Sequence, residues 1–363
     1  MQARAIERGS VPKYRQLIEL MRSQIREGRF PAGARFPGEH DWAERCGVSR
    51  YTVREAQDEL EREGYLVRRQ GKGTFVRMPP MRHQAKNTSK EIGVLVPCIT
   101  FSLYPGVIRG VQDMCADAGY HVIIGNYDAV PGKEKRCIGE MIAKPVAGLV
   151  ICPSFNSAQS GYHQLMDAAM PFVLVDTMVD GIDADLVSTD NFHGAREAVR
   201  NLLAAGCRSI AFLSGYFSAS TSRERLAGCR AALAERDLSL HPQLVREGDF
   251  SEAHGYEAAR RILASRRKVD GFFVANDPIA IGVIRAVREA GRAIPEDIRI
   301  CTFDEPQVTM NEHVPLIVVR QPRRDVGRKA AEALLERIEE RRTGAAPAPA
   351  RTIRVEAKVM AWK

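Results

Sequence analysis

The sequence contains no long apolar run. Nowhere do about 18 consecutive apolar residues occur, which is what a helix needs to cross a membrane. The first ten residues carry two arginines and no apolar core, so they do not have the pattern of a secretory signal. We therefore expect a cytoplasmic protein with no membrane partner.

Clustered cysteines are also missing. The eight cysteines are scattered along the chain, and no two of them form a Cys-x-x-Cys pair. In a reducing compartment such cysteines are usually small buried apolar residues rather than disulfides or metal ligands. The sequence therefore predicts no metal site.

The short motifs of common α/β enzymes do not occur either. There is no Gly-x-Ser-x-Gly nucleophile elbow and no phosphate-binding loop of the Gly-x-x-x-x-Gly-Lys-Ser/Thr type. We expect neither an enzyme nor a bound cofactor.

The excess of positive charge is confined to the first quarter of the chain. Residues 1–90 hold 19 basic and 11 acidic side chains, whereas residues 91–363 hold 34 of each, so the whole net charge of +8 lies before residue 91. Such an asymmetry favours nucleic acid as the partner of the first part. A basic but otherwise ordinary soluble head is the alternative.

A sharp turn and the beginning of a helix are predicted at residues 47–54. Ser49 suits the N-cap, and Val53, Ala56 and Leu60 then recur on one helical face. The long donor side chains at the beginning of this helix lie mostly off that face. This is the arrangement that a helix needs to enter the major groove of DNA with its tip.

Further elements flank this helix. Apolar periodicity predicts a helix over residues 11–27 and a short one over residues 39–46. Two short β-runs between residues 65 and 77 enclose a glycine-rich, basic turn, which indicates a hairpin. Three helices followed by a β-hairpin make a winged helix-turn-helix domain, which we assign to residues 1–77.

The residues that could touch DNA lie at the tip of this helix, in the hairpin, or wing, and, for His40, on the short helix before it. Arginine can bind guanine O6 and N7 through two hydrogen bonds, so Arg50 and Arg54 are the leading candidates for base reading. Tyr51 could reach a phosphate or pack into the core. His40 could contact DNA or be a surface histidine without a role in binding. The DNA-binding candidates are Arg50, Tyr51, Thr52, Arg54, His40, Arg68, Arg69, Gln70, Gly71 and Lys72.

The rest of the chain has a different pattern. Residues 78–90 hold two prolines and few apolar side chains, which is typical of a linker. Residues 91–363 alternate short apolar strands with amphipathic helices, which indicates parallel sheets covered on both faces. We divide them into two lobes, the first ending with the strand at 172–175 and the second running from about Leu186 to the strand at 352–357. Ligands of such folds bind at the carboxyl ends of the strands, which predicts a site between the lobes.

Residues 11–77 resemble the gluconate-repressor (GntR) family. The matching segments are Pro37-Gly-Glu, Gly47-Val-Ser-Arg-x-Thr-Val-Arg and Gln70-Gly-Lys-Gly-Thr-Phe-Val, in the family's order and spacing. The family usually has serine where Gly38 stands and arginine where His40 stands. Because that arginine often touches DNA, one contact of the family is altered here.

Residues 91–360 are similar to the effector domain of the lactose- and purine-repressor family, which is akin to periplasmic sugar-binding proteins of type I. The matching segments are Tyr104-Pro105, Ser188-x-Asp190-Asn191, Arg225-Leu-Ala-Gly, Gly248-Asp-Phe-Ser, Ala275-Asn-Asp and Thr302-Phe-Asp304. A GntR-type head on such a body resembles the arabinose-repressor subgroup. The resemblance implies a winged helix-turn-helix followed by a two-lobed α/β effector domain, in a dimeric repressor that responds when a small molecule closes the cleft.

The same resemblance implies which residues line the cleft. Arg225, Asn276 and Asp304 match positions that hydrogen-bond sugar hydroxyls, and Phe250 matches an aromatic residue that packs on the ligand ring. Alternatively, Arg225 and Asp304 form an ion pair across the cleft, Phe250 belongs to the core, and Asp277 merely caps its helix. The effector-binding candidates are Tyr104, Thr221, Arg225, Phe250, Asn276 and Asp304.

We therefore predict a ligand-responsive transcriptional regulator, most simply a repressor that a small sugar-like effector releases from a pseudo-palindromic operator. Its partners would be double-stranded operator DNA, the effector and a second copy of the chain in a homodimer. Two alternatives stay open. One is a regulator with a non-sugar effector or a corepressor, and the other is a cytoplasmic sugar-binding protein with an incidental basic head.

Overall fold

A computed structural model describes most of the chain and divides it into two compact units, Met1–Ala85 and Lys86–Lys363. The described residues are 12–26, 29–31, 33–69, 71–77, 89–100, 103–155, 159–304, 314–346 and 348–362. The predicted linker, residues 78–90, lies almost entirely outside them, and the boundaries proposed from sequence stay predictions. No helix in the described ranges is long and apolar enough to cross a membrane.

The first unit is a winged helix-turn-helix, as expected. Its elements are α1 (Lys13–Arg26), α2 (Glu39–Cys46), α3 (Arg50–Arg62), β1 (Leu66–Arg69) and β2 (Gly73–Val76). The two strands pair antiparallel to form the wing. A small apolar core that includes Trp42 and the inward face of α3 joins the three helices, so the periodic residues of the sequence do form the buried face.

The turn between α2 and α3 follows the predicted local chemistry. Gly47 ends α2 in the left-handed region at φ 63°, where a residue without a Cβ is least strained. The hydroxyl oxygen of Ser49 then accepts from the backbone N–H of Thr52 at 3.1 Å and caps α3. These two residues fix the angle at which α3 leaves the turn.

The second unit contains two sheets, of which the first is parallel throughout and the second is parallel except at one edge strand. The first sheet has the strand order β13-β7-β6-β5-β3-β4. Its strands are β3 (Glu91–Val96), β4 (His121–Asn126), β5 (Gly148–Ile151), β6 (Phe172–Val175), β7 (Asp185–Thr189) and β13 (Thr352–Val355). Helices α4 (Leu103–Asp117) and α11 (Arg323–Thr343) pack on one face, and α5 (Pro131–Ala143) and α6 (Gln159–Asp167) on the other.

The second sheet has the order β14-β12-β11-β10-β8-β9. Its strands are β8 (Ile210–Ser214), β9 (Val245–Glu247), β10 (Gly271–Val274), β11 (Arg299–Phe303), β12 (Leu316–Arg320) and β14 (Lys358–Trp362). Its helices are α7 (Asn191–Ala204), α8 (Ser220–Ala234), α9 (Glu252–Leu263) and α10 (Asp277–Glu289). Every pairing in it is parallel except that of β14 with β12.

The predicted division into consecutive halves was wrong, because the chain passes between the lobes more than once. β7, which was assigned to the second lobe, completes the first sheet beside β6. After β12, helix α11 and strand β13 return to the first lobe, and β14 crosses back to the second. The composition of a strand shows that it is buried but not which sheet it joins, since that depends on distant pairing.

The cysteines follow the prediction in most positions. All eight are free, and those in the core of either unit are buried. Cys98 and Cys137 are exceptions, because both are partly exposed.

Candidate functional site

The tip of α3 presents its candidate DNA contacts to solvent. The Tyr51 side chain is 70% exposed, which rules out the alternative that this ring packs into the core. Arg50 and Arg54 are exposed as well, whereas Thr52 is half-buried, with its hydroxyl 2.8 Å from that of Ser49. The exposed residues occupy the first turns, where a helix that enters the major groove meets base edges.

The first turn of α2 touches the same tip, which the sequence analysis did not anticipate. The carboxylate of Glu39 accepts two hydrogen bonds from Arg54, from Nε and Nη2, both at 2.9 Å. This bonding lowers the pKa of Glu39. Nη2 of Arg50 lies 3.3 Å from Nδ1 of His40. Because an exposed ion pair contributes little stability, the main effect of Glu39 is to orient the Arg54 guanidinium.

The candidate DNA-binding residues of the wing differ in whether their side chains already contact other residues of the protein. Arg68 is tied back to α3, where its guanidinium pairs with Asp58 and Glu61. The guanidinium of Arg69 lies over the ring of Phe75, with its central carbon 5.1 Å from the ring centroid. Gly71, at φ 71°, and Lys72 are exposed at the turn, and Gln70 lies outside the described residues. Among the described residues of the wing, Arg69 and Lys72 are therefore the basic side chains that pair with no carboxylate.

The cleft candidates meet where the two lobes face each other. Arg225, on α8, is 5% exposed, and its Nε donates to Oδ1 of Asn191 at 2.8 Å. Its Nη1 donates to the carbonyl oxygen of Ala275, and its guanidinium carbon lies 3.8 Å from the centroid of the Phe303 ring. Burial lowers the pKa of Arg225, and nearby carboxylates oppose that effect. These contacts fix the guanidinium in one plane.

Asp304 does not form the predicted alternative ion pair with Arg225. Its Oδ2 accepts from Nε2 of Gln321 at 2.8 Å, and its Oδ1 accepts from Nη2 of Arg323 at 3.0 Å. Asp304 follows β11 with φ at 66°, a conformation that non-glycine residues rarely adopt. Such strain is common where a side chain is held for function.

Asn276 serves as a helix cap as well as a cleft residue. Its Oδ1 accepts from the N–H of Ile279 at 3.1 Å and so caps α10, which corrects the idea that Asp277 is the cap. Its Nδ2 donates to the carbonyl oxygen of Phe250 at 3.1 Å. The carboxamide therefore holds the Phe250 connection in place.

Asp176 is a cleft residue that the sequence analysis missed. It follows β6 in the first lobe, as Asp304 follows β11 in the second, and it too has a positive φ, of 74°. Burial raises the pKa of this carboxyl to about 6, with Arg225 opposing the shift and Asp304 adding to it. An acidic residue directly after a buried strand was the only signal in the sequence.

The other two candidates are buried near these charges. Thr221 lies in the first turn of α8. Tyr104 lies in the first turn of α4, and burial together with the Asp176 carboxylate raises the pKa of its phenol. The hydroxyl groups of Thr177 and Ser220 meet across the lobes at 2.9 Å, and Arg354 makes a two-point ion pair with Glu224. The lobes thus enclose the polar residues of the cleft.

Comparison with known proteins gives the same two parts. Residues 13–76 match the domain described as bacterial regulatory proteins, gntR family. Residues 199–360 match the periplasmic binding protein-like domain.

Relatives exist over nearly the full length. The chain is 30% identical over 343 residues to the arabinose metabolism transcriptional repressor of Geobacillus stearothermophilus, covering 92% of this chain and 93% of that one. It is 31% identical over 258 residues to the HTH-type transcriptional repressor PurR of Vibrio campbellii, covering 70% of this chain and 76% of that one.

Solved structures share the fold. The transcription regulator CcpA of Lactococcus lactis superposes with a TM-score of 0.66 at 25% identity, over 75% of this chain and 97% of that one. A complex of the transcriptional regulator CelR with cellobiose superposes with a TM-score of 0.69 at 23% identity, over 90% of this chain and 98% of that one.

Proposed function

Since the chain belongs to the gntR family of bacterial regulatory proteins and is a ligand-responsive DNA-binding repressor, we propose that it acts as a homodimer that a small sugar-like effector releases from a pseudo-palindromic operator. In this proposal α3 and the wing read each half-site, and the cleft between the lobes takes the effector. Arg50, Tyr51 and Arg54 reach the major groove, and Arg69 and Lys72 hold the phosphate backbone.

The distribution of charge in the cleft carries the effector proposal. Asp176, which follows β6 of the first lobe, and Asp304, which follows β11 of the second, supply carboxylates whose charges both act on the Arg225 guanidinium. A sugar hydroxyl donates to a carboxylate and accepts from a guanidinium, so a neutral polyol satisfies both kinds of partner. A sugar phosphate would bring its negative charge close to two carboxylates, which disfavours it.

The name of the Geobacillus stearothermophilus relative supports a sugar as well. That protein is an arabinose metabolism repressor, which makes arabinose the first sugar to test.

Effector and operator are coupled through the two lobes. A ligand that binds only the closed cleft shifts the population toward closed lobes and changes the spacing of the two heads. By linkage, an effector that weakens operator binding must itself bind less tightly to the DNA complex.

Thermal unfolding of the full-length protein against a panel of sugars tests the proposal. A neutral sugar at about 100 times its dissociation constant should stabilise the effector domain by about 2.7 kcal/mol, and sugar phosphates should give smaller shifts. The shift should disappear in Asp304→Ala, while that variant still binds operator DNA. A panel without any shift, or an Asp304→Ala variant that still responds, would contradict a sugar site at these residues.

The homodimer needs a surface, and the outer edge of the first sheet offers one. β4 is the last strand at this edge, and Ile124 on it is 49% exposed. Ile99, Pro105 and Ile108 line the same shallow groove between β4 and α4. Exposed apolar residues beside an edge strand are a common feature of protein interfaces.

Ile124→Arg should convert the dimer into a monomer, because a charge buried without a partner is strongly unfavourable at an interface. Sedimentation equilibrium should give the chain mass of 40.3 kDa instead of twice that value. Met166→Arg is the matched control, since Met166 is 41% exposed on α6, in the helix layer on the other face of the sheet. A variant that kept the dimer mass would place the interface elsewhere.

A further inference from the structure

Three aromatic side chains from the two lobes meet beside the buried residues of the cleft. Phe155 follows β5 in the first lobe, whereas Tyr216 follows β8 and Phe250 follows β9 in the second. The rings of Phe155 and Phe250 stack, with centroids 4.4 Å apart and planes at 29°. The Tyr216 ring lies 6.1 Å from Phe155 and 6.5 Å from Phe250. The lobes therefore touch through aromatic rings.

The ring of Phe250 packs against the apolar core of the second lobe as well as against its aromatic neighbours. A Cβ at Gly215 would lie 2.2 Å from this ring, so the ring rests directly on the backbone of that glycine. The Phe155 ring stacks on it, and the carbonyl oxygen of Phe250 accepts a hydrogen bond from Nδ2 of Asn276. A ligand that packs on Phe250, as the family resemblance implies, must first displace Phe155.

Phe155 is held in position by buried polar contacts beneath it. The hydroxyl of Ser154 donates to Oε2 of Glu134 at 2.8 Å. The hydroxyl of Tyr127 donates to the carbonyl oxygen of Cys152, which pins the connection at a second point. Glu134 is itself 1% exposed, so these bonds are shielded from water. The segment after β5 that carries Phe155 is therefore held in place at Cys152 and Ser154.

Burial separates these rings from Arg225 and Asp304, whereas Asp176 is partly exposed, as two of the rings are. Phe155 and Phe250 are partly exposed and Tyr216 is exposed, whereas Arg225 and Asp304 are buried. The aromatic residues therefore lie at the surface side of the cleft, where the lobes close on each other.

We propose that Phe155, Tyr216 and Phe250 form an aromatic gate that must part before a ligand reaches Arg225 and Asp304. The proposal rests on the cleft being the effector site. The gate slows the entry and release of a ligand, because stacked rings resist the separation of the lobes. It also selects for size, since a ligand that projects past the rings keeps them apart and loses their stacking.

The thiol of Cys152 gives a way to measure the opening of the gate without any ligand. Cys152 lies at the carboxyl end of β5 and is 1% exposed. Cys152 packs on the same core as Cys115, but it directly follows β5 as Asp176 directly follows the neighbouring parallel strand β6, which places the thiol at the cleft end of that core. Its alkylation by iodoacetamide, followed in the full-length protein by mass spectrometry, reports how often the cleft opens.

Phe155→Ala and Phe250→Ala should each raise the alkylation rate of Cys152 by about two- to twelve-fold, the range that corresponds to the contribution of one aromatic pair. The double variant should react no faster than the faster single variant, because both changes break the same contact. Phe155→Tyr should keep the slow alkylation rate of the unmodified protein, because tyrosine retains a ring that can stack on Phe250. Met166→Ala is the matched control, since Met166 is an exposed apolar residue of the first lobe, on α6, outside both the stack and the proposed dimer surface.

Two other buried thiols distinguish gate opening from general loosening. Cys115 lies in the core of the first lobe and Cys301 in that of the second, and their rates should not change. The gate is overturned if Phe250→Ala leaves Cys152 slow while Phe155→Ala exposes it, because that result means only local loosening. It is also overturned if all three thiols react faster together. Neither result depends on the effector, so failure of the gate is distinguishable from failure of the sugar proposal.

Discussion

Arg54→Ala should lose operator binding while the effector domain keeps its thermal response to ligand. Arg54 is exposed near the tip of α3, and Glu39 holds its guanidinium through two hydrogen bonds. A two-point contact from arginine to guanine contributes about 1–3 kcal/mol of discrimination, and a dimer makes it in both half-sites. We therefore expect operator affinity to fall by about 30-fold or more.

Fluorescence anisotropy with labelled operator DNA at several salt concentrations measures this loss. Arg62→Ala is the matched control, because Arg62 lies in the last turn of α3 with its side chain 70% exposed and carries the same charge. Removing it should weaken binding only slightly. Equal losses in the two variants would mean that α3 contributes general electrostatic attraction rather than base reading.

Glu39→Gln separates orientation from charge in the same assay. The change removes the anchor of Arg54 and one negative charge close to the DNA. If the orientation of the Arg54 guanidinium matters for base reading, discrimination between operator and unrelated DNA should fall. Nonspecific binding should become tighter at the same time, because a negative charge near the DNA is lost. A variant with tighter binding and unchanged discrimination would show that Glu39 only contributes repulsion.

The fold of the winged helix-turn-helix could be predicted closely because it depends on interactions between residues that are close in sequence. A glycine in the left-handed region at 47 and a serine cap at 49 act within a few residues, so the sequence around them determines the turn. The same holds for the buried face of α3, which repeats with the period of a helix. Glu39 was missed because its partner, Arg54, is brought to it only by the packing of two helices.

The cleft depends on distant contacts and was predicted less well. The strand β7 is as deeply buried as its neighbours in either sheet, so only its pairing with β6 shows that it belongs to the first lobe. Asn276 and Asp277 are adjacent, and both can cap a helix, so the choice between them required the observed hydrogen bond. The stacking of Phe155 on Phe250 joins residues of different lobes, and no local pattern signals it.

Asp176→Asn should make the protein more stable at pH 8 and at the same time weaken effector binding. The carboxyl has a pKa of about 6 in the folded chain, against an ordinary value of 3.8. The folded protein therefore holds this proton more tightly than the unfolded chain, and the stability contributed by this group falls as pH rises from about 4 to 6. Above that range the ionised carboxylate costs on the order of 1–3 kcal/mol, which the neutral amide avoids.

The cause of the shift distinguishes this prediction from the loss of an ordinary ion pair. Arg225 attracts the Asp176 carboxylate, but burial and repulsion from Asp304 and Glu224 outweigh that attraction. Calorimetry should therefore show a higher unfolding temperature for Asp176→Asn at pH 8 and little change near pH 4. Asp183→Asn, at an exposed position in the same lobe, provides the control for removing one carboxylate.

Effector binding should change in the opposite direction. A hydrogen bond to a charged acceptor contributes about 1.5–3 kcal/mol, so its loss should lower the affinity for the effector by roughly 10- to 150-fold. A carboxylate that destabilises the fold but strengthens ligand binding is expected at a functional site, where strain is balanced elsewhere in the structure. If Asp176→Asn lowered stability at pH 8, attraction to Arg225 would dominate, and the carboxylate would be a structural partner of that arginine.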